Sequence, residues 1–261
     1  NDFFYWNPSG IGAGIENYAL GQLKLSYAVF RKDSVYQQDV APRHDLQLRG
    51  LTLNPGGELQ LGLSYIGKTD NAPDRHTGAS FSIQHVQSGI FGGWNKLAVQ
   101  YGQGPGIGLG STGDLTNGKE VTRFRIVEQL YFKIAPSLDG QVTTTWQHDK
   151  APGANQDWYS LGGRLVYGFA PNWKVMTDLG HDQVKPDGGD SRSLDKVTIA
   201  TAWSPAPGIF GRPEVRLFYT YARWNEAARL AATPGDALST SGVFGTAYHG
   251  STFGLQAEHW W

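Results

Sequence analysis

Apolar and polar residues alternate with a period of two along nearly the whole chain. In "ELQLGLSY", Leu59, Leu61, Leu63 and Tyr65 share one parity, against Gln60, Gly62 and Ser64. "KLAVQY" sets Leu97, Val99 and Tyr101 against Lys96, Ala98 and Gln100. "EVRLFYTYAR" sets Val215, Leu217, Tyr219 and Tyr221 against Arg216, Phe218, Thr220 and Ala222. Side chains of a strand point alternately to its two faces, so each stretch reads as a strand with one apolar and one polar face. No helical period is sustained, and the pattern predicts an all-β chain. About thirteen strands are predicted, over 11–20, 22–31, 43–54, 58–68, 78–88, 95–103, 121–134, 138–148, 158–169, 172–184, 194–204, 213–224 and 251–261.

The connectors alternate in kind. Short turns are predicted at 20–22, 54–57, 91–95, 135–140, 170–172 and 206–213. Between them lie longer polar stretches rich in Gly, Asp, Asn and Pro, at 32–42, 69–77, 103–120, 149–157, 185–193 and 225–250. Short turns at one end and long loops at the other describe a transmembrane antiparallel β-barrel. Tyr27, Tyr65, Tyr101, Trp146, Trp203 and Trp261 sit near the ends of apolar-parity runs, where headgroup-level rings belong. A soluble sandwich would need a second layer to cover one face of every strand. Lipid outside and water inside satisfy both faces, and closure pairs the backbone.

Composition narrows the class. Of 261 residues, 39% are hydrophobic and 13% aromatic, with 35 glycines and no cysteine, so disulfides and thiolate metal sites are excluded. A net charge of −1 gives no nucleic-acid footprint. The seven His show no HExxH or paired metal spacing, and no cofactor motif is present. No apolar run is long enough for a transmembrane helix. The opening "NDFFYWNPSG" carries no signal peptide and reads as a mature or cropped chain, entered through an aromatic loop.

"NDFFYW…SGIGAGIEN", "LTLNPGGELQLGLSY", "GRPEVRLFYTYARW" and the ending "FGLQAEHWW" together resemble the maltoporins, the trimeric sugar porins of Gram-negative outer membranes. The resemblance runs the whole length, in order. It implies the family's barrel of about 18 strands, near the porin size that leaves an aqueous channel. It implies one barrel domain over 1–261, with 1–10 ending the constriction loop, 11–261 supplying strands, turns and loops, and about five strands preceding. A rearranged smaller barrel is the alternative. The expected function is facilitated diffusion of maltose and maltodextrins. Sugar ring faces are apolar and their rims carry hydroxyls, so a conducting pore needs aromatic planes for the faces and polar groups for the rims, bound weakly enough to leave.

The family's aromatic slide carries over onto Trp94, Phe210 and Trp260. Trp94 stands where phenylalanine is common and Phe210 where tryptophan is usual. The plain alternative for Trp94 and Phe210 is an aromatic packing a short turn. Trp260 lies on the polar parity of the last strand and Trp261 on the apolar one, so one indole faces sugar and the other lipid. At the constriction, Asp2 matches an acidic acceptor of sugar hydroxyls, and Phe4 replaces a tyrosine that narrows the pore. Phe4, Trp94 and Phe210 keep a sucrose-type or other carbohydrate porin open.

Arg123, Arg125, Arg164, Lys174, Asp178, Arg216 and Glu258 fall on polar parity. An Arg at the lipid midplane costs about 2–4 kcal/mol, which favours their facing water. They read as a wet wall tuning ion preference, or as sugar contacts. His85 and His181 fall on apolar parity without a GxSxG motif, which argues against a barrel enzyme. A soluble lectin-like β-protein is the remaining class, and extraction without detergent distinguishes it. The resemblance also implies outer-membrane lipid around the barrel, a homotrimer, and external loops open to phage.

Overall fold

The computed structural model describes residues 11–32, 40–68 and 74–259. Among the described residues thirteen strands are present: β1 (Ile11–Leu20), β2 (Leu23–Lys32), β3 (Arg43–Asn54), β4 (Gly57–Ile66), β5 (Gly78–Ile90), β6 (Gly93–Gln103), β7 (Thr122–Ala135), β8 (Leu138–Lys150), β9 (Gln156–Ala170), β10 (Trp173–Pro186), β11 (Arg192–Trp203), β12 (Glu214–Trp224) and β13 (His249–Glu258). They form one sheet in which every strand pairs with its neighbours in chain order. The registers are antiparallel, with Lys174 opposite Ala202, Ala202 opposite Arg216 and Arg216 opposite Gln256.

Burial along the strands is inverted relative to a water-soluble sheet. Phe253, Leu255, Leu217 and Ile199 are exposed on the apolar face. Arg43, Lys174, Gln147 and Gln100 are buried on the polar one. Water-soluble monomers rarely expose so large an apolar surface, whereas hydrocarbon accepts it. Rings also pack against one another on that face. Tyr27 Oη lies 2.7 Å from His44 Nδ1, and the His44 ring packs against Tyr65. Phe124 meets Trp146 edge-on at 5.7 Å.

Contacts divide the chain into two compact units. The first comprises 1–88, 95–128 and 146–156. On its polar face the Arg43 guanidinium donates to Asp45, Ser64 Oγ donates to Asp45 Oδ1 at 2.6 Å, and the guanidinium lies over the Phe30 ring. The connector after β6 opens with a 3-10 turn at Gly104–Gly108, whose first three residues are buried. His76 N–H donates to Leu115 O at 2.8 Å, and Leu115 packs with Ala41 and Ile66. Asp114 accepts from the N–H and the hydroxyl of Thr116, which holds its carboxyl below its ordinary value.

The second unit comprises 89–94, 129–145 and 157–261. Its core lies on the polar side of β9–β11, where Val166, Met176, Ala200 and Ala202 surround Ile209. Between β12 and β13 a helix, α1 (Glu226–Ala231), is capped by Asn225, whose side chain accepts from Ala228 N–H at 2.9 Å.

Candidate functional site: an aromatic row and charged clusters on the polar face

The turn joining β5 to β6 fixes the first ring. Phe91 and Gly92 both have positive φ, 49° and 71°, as a two-residue type I′ hairpin turn requires. β6 then starts at Gly93 and carries Trp94 on its polar parity, in step with Lys96, Ala98 and Gln100. On β7 the polar parity runs Arg123, Arg125, Val127, Gln129, Tyr131. The Trp94 and Tyr131 ring centroids are 5.8 Å apart.

The third ring comes from the connector 204–213. The sequence reads 206–213 as a short turn, but the segment folds onto the polar face instead. Ile209 is its anchor: the side chain is buried in the apolar seat of β9–β11, and its N–H donates to both Asp139 oxygens at 3.0 and 3.2 Å. Lys174 Nζ donates to Gly208 O at 2.9 Å, and Arg212 Nη1 to Ile209 O at 3.0 Å. With Ile209 turned in, the next side chain, Phe210, is left 48% exposed. Its ring lies 5.0 Å from Tyr131, whose hydroxyl donates to Asp139 Oδ2 at 3.2 Å. One carboxylate therefore positions both the connector and the middle ring of the row Trp94–Tyr131–Phe210.

Beside the row lies a cluster of three cations and two carboxylates. Glu214 is the hub, with Lys174 Nζ at 2.7 Å, Arg216 Nη1 at 2.9 Å and Arg212 Nη1 at 3.5 Å. Glu258 takes Arg212 at 3.0 Å and Arg216 at 3.3 Å. The expectation of a wet wall fails for Lys174. Its side chain and that of Glu214 are buried, because the connector covers them.

Arg164 and Asp178 are brought together by a bidentate pair at 2.6 and 2.7 Å. They line a cavity of about 180 Å³ with Arg216, Gln256, Phe218 and the hydrogen-bonded hydroxyls of Thr198 and Thr220. In the first unit, Arg123 forks onto Asp149 at 2.6 and 3.2 Å and donates to Ile107 O, while Arg125 donates to Gln147. Gln147 and Gln156 also donate to Asp149. Asp2, Phe4 and Trp260 lie outside the described residues. Among the described residues no cluster of His, Asp and Glu is placed to hold a metal ion.

The LamB porin family matches residues 1–261, the whole of this chain. The chain belongs to the LamB porin family. It is an outer-membrane porin with an all-β antiparallel channel fold, and among the described residues no helix is long and apolar enough to cross a membrane. It is also similar to the solved structure of in-vitro folded OmpT, an outer membrane protein of Vibrio cholerae, at 10% identity and a TM-score of 0.38, over 93% of this chain and 99% of that one.

For this LamB porin, sequence reasoning missed Tyr131, Asp139, Ile209, Arg212 and Glu214. Tyr131 shares the parity of Arg123 and Arg125, six residues past Arg125 on the same strand. Val166, Met176, Ala200 and Ala202 break polar parity on three adjacent strands, and that interruption is the signal for a covering segment.

Proposed function

We propose that this porin conducts maltose and maltodextrins by facilitated diffusion along aromatic rings, with charged and amide side chains at the sugar hydroxyls. The row Trp94–Tyr131–Phe210 carries the reading. Its centroid spacings of 5.8 and 5.0 Å give an extended apolar track rather than a closed pocket. Such a track takes sugar ring faces in succession and creates no deep well. The Arg164–Asp178 pair and the Arg216–Gln256 contact offer donors and acceptors to the rim. Trp260 continues the slide and Asp2 and Phe4 form the constriction, on the resemblance to maltoporins. Residues 1–261 then serve one pore, assembled as a homotrimer, with the loop 225–248 open to phage. Passive conduction needs no catalytic group or cofactor.

The test is single-channel conductance of the full-length protein in a planar bilayer, titrated with maltose, longer maltodextrins and sucrose. Block that tightens with maltodextrin length supports a continuous slide. Equal block by sucrose points to another carbohydrate porin, and no block makes the rings structural.

A further inference from the structure

The apolar face of the second unit carries a hollow centred on β9. On β9, Leu161 and Leu165 flank Gly163 on that face. Around Gly163 lies a hollow of about 870 Å³, walled by Phe132, Val142, Leu161, Leu165 and Leu179. A Cβ at position 163 would lie 3.2 Å from Gln141 O and 3.5 Å from Val142 Cγ2, so the floor is close-packed and the space above it is open. Toward the long-loop end the same hollow is bordered by His181, Asp195 and Arg223. His181 stands opposite Asp195, and Asp195 opposite Arg223. His181 Nδ1 meets Asp195 Oδ1 at 2.6 Å. Among the described residues Arg223 has no ion-pair partner.

We propose that this hollow seats an acyl chain of a phosphate-bearing membrane lipid, with the phosphate on Arg223. The inference rests on the outer-membrane location and is independent of the sugar. Inside a bilayer, apolar burial alone gives no preference, because lipid tails are as apolar as the wall. Selection must come from filling a void and from a charge contact at headgroup level. Arg supplies that contact, since its planar fork matches phosphate oxygens. The charge on the rim decides between occupants. An apolar knob of a second copy fits the hollow but leaves the cation unanswered, whereas a phosphorylated lipid supplies tail and anion in one molecule.

The probe is phosphatidylglycerol, titrated onto the full-length protein in neutral detergent and followed by native mass spectrometry. Wild type should retain one tightly held molecule per chain. Arg223→Gln should weaken that retention roughly tenfold or more, the loss of a charged hydrogen bond, and Gly163→Leu should weaken it by crowding the floor of the hollow. A chain-matched neutral diacylglycerol should show no dependence on Arg223. Sugar block should be unchanged in both variants. Equal retention by wild type and Arg223→Gln overturns the proposal. Loss of oligomer in Gly163→Leu with lipid retention intact also overturns it, and assigns the hollow to a second copy. Should Gly163→Leu fail to fold, Arg223→Gln at its exposed site decides alone.

Discussion

Tyr131 and Phe210 lie on elements far apart in sequence, and their rings meet at 5.0 Å, with Asp139 taking both the Tyr131 hydroxyl and the N–H of Ile209, the residue before Phe210. The pair therefore separates two roles that a single aromatic would mix. Tyr131→Phe keeps the plane and loses the hydroxyl, while Tyr131→Ala loses the plane. An aromatic contact contributes about 0.5–1.5 kcal/mol beyond area burial, so Tyr131→Ala should weaken maltodextrin block roughly two- to tenfold. Tyr131→Phe should stay near wild type. Equal loss in the two variants would mean that the hydroxyl, not the ring, matters.

Neighbouring residues of the connector should behave oppositely. Ile209 is buried and Phe210 is half exposed. Ile209→Ala empties a core site and should cost about 2–5 kcal/mol of stability, read as a lower unfolding midpoint in detergent. Phe210→Ala should leave that midpoint in place and weaken sugar block. A shared stability loss would make Phe210 a packing residue.

Glu214 carries more of the buried charge cluster than Lys174 does. Glu214→Gln removes the carboxylate that Lys174, Arg212 and Arg216 share, and breaking a buried pair this way costs about 3–5 kcal/mol. Lys174→Met leaves Glu214 with both arginines at 2.9 and 3.5 Å. Its cost should be smaller and include loosening of the connector through the lost bond to Gly208. Urea unfolding of the two variants measures the order, and the reverse order would place the hub on Lys174.

Strands were legible because the two faces meet different solvents, so almost every residue votes on parity. The stretch read as 213–224 is observed as Glu214–Trp224, and 22–31 as Leu23–Lys32. The same parity put Arg164 and Asp178 on one face, although only the register joins them. The inward fold of 204–213 was not legible, since its anchor is a single Ile among Gly and Pro. The seat of that Ile is spread over β9, β10 and β11, and no local pattern links those positions. α1 is too short to show a period, and only its Asn225 cap announces it.

Arg123, Arg125 and Asp149 make ion preference a test of which way the polar face points. Asp149 accepts from Arg123, Gln147 and Gln156, so it neutralises one of two neighbouring cations. If that face lines the channel, Asp149→Asn leaves two guanidinium charges on the wall and concentrates anions near it. The reversal potential in a potassium chloride gradient should then move toward chloride. Arg123→Gln should move it toward potassium, and raising the salt should shrink both shifts as screening shortens. Opposite-signed shifts of this kind require a wet wall. Were neither variant to shift the potential, the cluster would be a structural brace between β7, β8 and Ile107, and selectivity would have to arise elsewhere.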